Sequence, residues 1–384
     1  MLPQPDRWEA SPDIKKEEFT RAVALGLFDY LRKSKAQGFV VSLSGGADSS
    51  TVSCLAALMV ELGILELGRE RFLAALLRSA SFEASAKDTR TIVNRLLTTV
   101  YQSTRQSSET TRNAARKVAE AIGSRHFEFD VDPLVDRYVE MVSTQIGRPL
   151  TWARDDATLQ NIQARVRGPG VWLVANERNA ILLVASNRSE AAVGYATMDG
   201  DTCGGLCPIG GIDKAFLREW LRWMEATGPQ GLHPIPVLSL VNAQAPTAEL
   251  RPKEEQQTDE QDLMPYALLD LIERAAIRDK QTPLEVFLCL KREFPKRYPD
   301  AGLAAWIERF FRLWGRNQWK RERYAPSFHL DDESLDPKTW CRFPILSGQY
   351  ERELEELRAS LRKPSNTTPR VAKVRKPRLV KASS

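Results

Sequence analysis

Gly38-Phe-Val-Val-Ser-Leu43, followed without a break by Ser44-Gly45-Gly46-Ala47-Asp48-Ser49-Ser50 and then by the Ala- and Leu-rich stretch Thr51 to Leu62, organises the first half of the chain. An apolar run of strand length, a glycine turn and a run of helix formers read as strand, turn and helix. Paired glycines let a backbone approach an anion closely and reach positive φ. Several N–H groups and the positive end of the following helix then face one point, which suits a phosphate or pyrophosphate. Ser44 and Ser49 add hydroxyl donors. Asp48 would repel phosphate unless a cation lay between them, so it points to Mg²⁺. The plainer alternative is a tight strand-to-helix turn in which Asp48 caps the first turn. No Gly-Lys-Ser/Thr follows, so this is not a Walker loop.

Working outward, Phe19, Val23, Leu27, Tyr30 and Leu31 recur at three- and four-residue spacings and predict an amphipathic helix over residues 14–36. Arg71-Phe-Leu-Ala-Ala-Leu-Leu77 reads as a second buried strand and residues 84–122 as mostly helical. His126-Phe-Glu-Phe-Asp-Val131 and Ala180-Ile-Leu-Leu-Val-Ala185 read as third and fourth strands. Strands alternating with helices predict an α/β fold, a doubly wound parallel sheet flanked by helices. Residues 263–320 read as a helical C-terminal part. Between them, residues 242–262 form a polar stretch of the kind that serves as a lid. Residues 1–361 are read as one domain and residues 362–384 as a basic, disordered tail.

The chain has 384 residues, 42% of them hydrophobic and 27% charged, which excludes small stapled, fibrous and disordered classes. No uninterrupted apolar run reaches the roughly 18–20 residues of a membrane span, and the start carries no signal-peptide pattern, so a cytoplasmic protein is expected. Five scattered cysteines predict reduced thiols. The net charge of +5 alone would hint at nucleic acid. Residues 362–384, however, hold eight basic side chains and no acidic one, which leaves the remainder at −3 and argues against a nucleic-acid partner.

The Ser-Gly-Gly-x-Asp-Ser string resembles the pyrophosphate loop of the N-type ATP pyrophosphatases. Further motifs narrow this: Asn161-Ile-Gln-Ala-Arg165, Ser186-Asn-Arg-Ser-Glu190, Gly194-Tyr-Ala-Thr197, Asp199-Gly-Asp201, Pro208-Ile209, Lys214, Pro246-Thr-Ala-Glu-Leu250, Gln256 to Glu260, Pro265-Tyr266 and Trp319-Lys-Arg321. In that order they resemble the NAD synthetase family over about residues 15–345. The resemblance implies a fold of the adenine nucleotide alpha hydrolase type. It implies ATP-dependent amidation of deamido-NAD to NAD through an acyl adenylate, with AMP and pyrophosphate released.

Carried over residue by residue, the resemblance implies that Ser42, Leu43, Ser44, Gly45, Gly46, Ala47, Asp48 and Ser49 line the ATP phosphates. Lys214 and Thr247 would also contact ATP. Asp48 and Glu190 would hold Mg²⁺, and Asp48 and Lys214 would be the catalytic pair. Arg165, Asp201, Trp319 and Lys320 would bind deamido-NAD. Family substrate sites lie across a dimer interface, so a homodimer is implied. Ala185 stands where the family has an ATP-contacting threonine, and Met198 where short bacterial enzymes have a lysine; each removes a polar contact worth about 0.5–1.5 kcal/mol. Only 43 residues precede Ser44, too few for the glutaminase of the long enzymes, so ammonia is expected, free or from a separate amidase subunit, with truncation from a longer chain as the alternative. Two other readings remain at this point: another N-type ATP pyrophosphatase, such as one modifying tRNA, and a nucleotide-binding homologue impaired in catalysis. Cys203 and Cys207 lack a second Cys or His pair and read as structural thiols, and His126, on a strand between apolar neighbours, as a structural histidine.

Overall fold

The computed structural model describes residues 7–76, 88–245, 249–252, 258–345, 347–348 and 350–362. In chain order its elements are α1 (Ile14–Ser34), β1 (Phe39–Ser42), α2 (Ala47–Leu67), α3 (Arg69–Leu76), α4 (Thr89–Leu96), β2 (Leu97–Ser103), α5 (Glu109–Ile122), β3 (Arg125–Asp130), α6 (Asp132–Ile146), α7 (Trp152–Glu177), β4 (Ile181–Leu183), α8 (Arg188–Val193) and α9 (Lys214–Ala226). The short α10 (Ser239–Asn242) and α11 (Asp259–Asp262) follow, then α12 (Tyr266–Glu273), α13 (Pro283–Glu293), α14 (Asp300–Arg316), α15 (Gln318–Arg321) and α16 (Glu351–Arg362).

The four strands pair in the order β3-β2-β1-β4, all parallel. Side chains alternate across β1: Phe39 and Val41 join the core with α1, α2, α5 and α9, while Val40 packs with Val100, Leu182 and Val171 of α7 on the other face. Helices thus cover both faces, as a parallel sheet requires. The chain runs from β1 outward through β2 to β3 and returns to place β4 on the far side of β1. That reversal opens a crevice at the carboxyl ends of β1 and β4. The segments that leave these two ends carry the glycine loop and Ser186–Glu190.

Three expectations need correction. The second strand is not Arg71–Leu77; residues 69–76 are helical, and Leu77 lies outside the described residues. The strand is Leu97–Ser103, inside the stretch read as helical, where α4 passes into β2 with no intervening turn. Tyr30 stands 36% exposed, whereas Phe19, Val23, Leu27 and Leu31 are buried on α1. Helix α2 is long and apolar enough to cross a membrane by length and composition, yet two-thirds of its apolar window is buried inside the fold.

A second apolar core joins α8 to α12, α13, α14 and α16, with Trp314, Phe310, Phe311 and Tyr266 among its largest side chains. Within the stretch 242–262, residues 259–262 form a helical turn closed by a capping box between Thr258 and Gln261.

Candidate active site

The glycine loop has the geometry its sequence demands. Gly45 adopts φ +83°, and a Cβ there would lie 2.1 Å from the Thr111 carbonyl oxygen, so only glycine fits. Ser49 Oγ accepts from the Ser44 N–H at 3.1 Å and lies 3.0 Å from Ser44 Oγ, which in turn accepts from the Gly46 N–H at 3.3 Å. Gly46 caps α2 without any side-chain acceptor, leaving the first turn of a 21-residue helix facing the crevice, a ready anion site.

A cavity of about 270 Å³ opens over this loop. Ser42, Ser44, Gly46, Ala47, Asp48 and Ser49 line it. Leu43 does not, being fully buried in the core below. Across the cavity stand Glu190 from α8 and Lys214 from α9. Asn187 caps α8 through the Glu190 N–H at 3.0 Å, and Asp213 caps α9 through the Phe216 N–H at 2.7 Å, so both functional side chains sit in the first turn of a capped helix.

Lys214 Nζ donates to Asp48 Oδ2 and, at 3.1 Å, to Glu190 Oε1. Its ammonium also lies 5.5 Å from the Tyr266 ring centre. Burial alone would lower the basicity of Lys214, but the carboxylates of Asp48, Glu190 and Asp259 outweigh it and hold the ammonium above the usual lysine range. Burial pushes the Glu190 carboxyl up; Lys214 opposes that shift and Asp48 adds to it. Asp259 is likewise raised by burial, and it accepts from the hydroxyls of Tyr266 at 3.3 Å and Tyr195 at 3.4 Å.

Asp48 Oδ1 is buried and, among the described residues, has no hydrogen-bond partner. An orphaned carboxylate oxygen beside a second carboxylate, above a phosphate loop, suits a hard divalent cation. Among the described residues no three-residue cluster of His, Cys, Asp or Glu is spaced to hold a metal by itself. Asp48 and Glu190 therefore fit Mg²⁺ of the kind completed by substrate phosphates and water.

Of the other expected site residues, Asp201 lines the cavity and accepts from the Thr197 N–H at 2.7 Å. Arg165, Trp319 and Lys320 do not line it. Arg165 Nε donates to the Met198 carbonyl at 3.0 Å. Lys320 Nζ donates to the carbonyls of Gly194 and Ala196, each at 2.7 Å, and Trp319 is 40% exposed beside it. Thr247 lies outside the described residues, as does the basic tail from residue 363. Ala185 faces the cavity; Met198 is buried.

Several contributors went unread in the sequence. Arg167 lines the cavity two positions beyond Arg165 and donates to the carbonyls of Gln102 at 3.1 Å and Gln163 at 2.8 Å. Burial lowers its pKa, against the pull of nearby Tyr101, Glu249 and Asp201. Tyr195 and Asp259 also line the cavity. The Asn-x-x-Ala-Arg-x-Arg spacing and the acids after residue 256 were the signals available for Arg167 and Asp259. Cys207 is buried, donates to the Ser186 carbonyl, and is pushed up to about 12 by burial. Cys203 is only half-buried and is raised for the same reason, so both are inert thiols. His126 Nδ1 pairs with Thr99 Oγ1 at 2.9 Å, away from the cavity.

A parallel sheet with a phosphate-type loop after its first strand and a facing carboxylate–lysine pair defines an α/β nucleotide-binding protein of the adenine nucleotide alpha hydrolase type. Residues 19–297 match the family model described as NAD synthase, and the chain belongs to that family. A glutamine-dependent NAD(+) synthetase of Oryza sativa subsp. indica is 32% identical over 340 residues, which are 83% of this chain and 46% of that protein. The crystal structure of a glutamine-dependent NAD(+) synthetase from Cytophaga hutchinsonii shares 44% identity at a TM-score of 0.79, covering 89% of this chain and 56% of that one. An NMN synthetase from Francisella tularensis shares the fold at 20% identity and a TM-score of 0.54, covering 80% of this chain and 95% of that one. The chain spans about half the length of the curated relatives it matches.

Proposed function

We propose that this chain catalyses ATP-dependent amidation of deamido-NAD to NAD, with ammonia as the nitrogen that reaches the site. The observation that carries the reading is the single cleft in which the glycine loop, Asp48, Glu190 and Lys214 converge. The nicotinate carboxylate attacks the α-phosphorus of ATP and pyrophosphate leaves; ammonia then attacks the acyl carbon of the adenylate and AMP leaves. No side-chain nucleophile is needed, which agrees with inert cysteines and a histidine outside the cleft.

Here the chain has to bring a carboxylate to a polyphosphate and hold the leaving group. The loop N–H groups and the α2 terminus receive phosphate oxygens, and Ser44 and Ser49 keep the loop in shape. Lys214, held fully protonated, supplies a fixed positive charge for the departing pyrophosphate. Asp48 and Glu190 would hold Mg²⁺, which when bound offsets phosphate charge and polarises the phosphoryl oxygens. Arg167 adds a desolvated guanidinium at the cavity wall. Arg165, Asp201, Trp319 and Lys320 are proposed for deamido-NAD, with Lys320 acting partly by shaping the Gly194–Ala196 turn.

A homodimer is part of the proposal. Leu134, Tyr138, Met141, Val142 and Ile146 share one face of α6, each 46–53% exposed, and no residue of that helix is buried. Such a contiguous apolar face marks an association surface.

The test is product formation. The chain is incubated with deamido-NAD, ATP, Mg²⁺ and ammonium, and NAD and AMP are measured; both should appear in equal amounts. Absence of NAD with ATP still bound would overturn the reading in favour of a non-catalytic nucleotide-binding protein. In a parallel reaction glutamine replaces ammonium, and a separate glutaminase is then added: NAD only after that addition supports an external ammonia supply, and NAD from glutamine alone would overturn ammonia as the donor.

A further inference from the structure

Glu190 and Lys214 stand on two different helices, and nothing in either helix alone sets one against the other. α8 is six residues long, too short to hold its own geometry without tertiary support. The support is a buried bridge that comes from the second core. Ser189, adjacent to Glu190, accepts the Lys214 N–H on its hydroxyl at 2.8 Å and donates that hydroxyl to Asp270 Oδ1. Asp270 Oδ2 accepts the next N–H of α9, from Ala215, at 3.2 Å. One hydroxyl and one carboxylate thus gather two successive donors from the first turn of α9, a terminus whose N–H groups have no partner within the helix.

The residues are deeply buried, Ser189 at 0% and Asp270 at 8% exposure. One turn further along α12, Glu273 forms an ion pair with Arg188 at 3.2 Å, and Arg188 also reaches Asp213, the residue before Lys214, at 3.3 Å. The charged groups facing Asp270 are therefore Arg188, Asp213 and Glu273. Burying a carboxylate costs more than a well-packed apolar side chain would, so its hydrogen bonds must supply something packing does not.

We propose that Asp270, acting through Ser189, is a positioning residue that sets Lys214 against Glu190 and so couples the C-terminal helical core to the phosphate site. The inference rests on the amidation reading above. An aspartate at this point offers acceptors to two donors at once; an asparagine keeps one acceptor and turns an NH₂ group toward a donor. The expected consequence is a misplaced Lys214 side chain in a folded enzyme.

Steady-state NAD formation from deamido-NAD, ATP and ammonium tests this with Asp270→Asn, Ser189→Ala and the double variant, folding being followed by thermal unfolding. Each single change should lower kcat about 10- to 100-fold while the KM for ATP stays within about twofold. Because both act through one bridge, the double variant should be within about twofold of the slower single. A kcat for Asp270→Asn within about twofold of wild type, or losses that multiply in the double variant, would overturn the inference. Should Asp270→Asn fail to fold, Ser189→Ala decides alone: an unchanged kcat overturns it, and a lowered kcat with unchanged KM supports it. An inactive wild-type chain overturns both the amidation reading and this inference, whereas active wild type with indifferent variants overturns the inference alone.

Discussion

The ammonium of Lys214 is wedged between the carboxylates of Asp48 and Glu190, residues 166 and 24 positions away in the chain. Two carboxyl groups at the cavity wall thus share one buried base beneath a phosphate-type loop. That balance suits a site that receives a divalent cation together with its anionic substrate.

Lys214→Met should therefore fail twice. Removing the ammonium leaves Asp48 and Glu190 facing each other, which should destabilise the fold by about 3–5 kcal/mol in denaturant titration. NAD formation should fall by at least about 100-fold, since the fixed charge opposite the leaving group is gone.

Asp48→Asn should act mainly on metal dependence. The orphaned Oδ1 loses its charge while the side-chain shape is kept. Wild type should bind ATP more tightly with Mg²⁺ than without; the variant should show that gain reduced by about tenfold or more in calorimetric titration, roughly the loss of one charged contact.

The two loop glycines should respond differently to alanine. Gly45→Ala places a methyl group 2.1 Å from the Thr111 carbonyl oxygen at positive φ and should cost about 3 kcal/mol or more. Gly46 has φ −87°, and an added Cβ would meet only Ser44 Oγ at 3.4 Å, so Gly46→Ala should leave stability within about 0.5 kcal/mol. Chemical denaturation of both variants reads the contrast.

The contribution of Glu273 to stability should fall as pH rises from about 5 to 8. Burial pushes the Glu273 carboxyl up to about 8, against the pull of Arg188, because Asp270, Glu333 and Asp213 crowd the same space. The unfolded chain releases this proton near its ordinary value of 4.5. The folded protein thus binds the extra proton between those values, and each step up in pH favours unfolding. Glu273→Gln should flatten that limb of a plot of thermal midpoint against pH.

The exposed face of α6 should carry the dimer contact. Wild type should sediment as a dimer, and Tyr138→Glu combined with Ile146→Lys should yield a monomer with an unchanged far-ultraviolet spectrum.

Much of this protein is written locally. The glycine loop could be read because a phosphate turn needs particular residues at consecutive positions, and Asp48, Glu190 and Lys214 each lie in or beside a short motif. Continuous apolar runs placed β1 and β4, as suits buried parallel strands, and the alternation of His126-Phe-Glu-Phe-Asp130 placed the edge strand β3. β2 was hidden: Leu97-Thr-Thr-Val-Tyr-Gln-Ser103 has the β-branched and aromatic composition of a strand, but α4 enters it with no glycine or proline to mark the change. Arg71 to Leu76 misled in the opposite direction, as a short apolar run fits strand and helix equally.

What the sequence alone determined, then, was the chemistry available: a phosphate loop, two acids and a lysine on a doubly wound sheet. Only the tertiary structure decided how they meet. The reversal of strand order brings the ends of β1 and β4 side by side, so that Asp48 and Glu190 share one lysine. Long-range packing turned Lys320 onto the Gly194 and Ala196 carbonyls, brought Arg167 to the cavity wall and set Asp270 beneath Ser189. Such contacts depend on where distant helices come to rest, and no spacing along a single chain encodes that in a form that can be read locally.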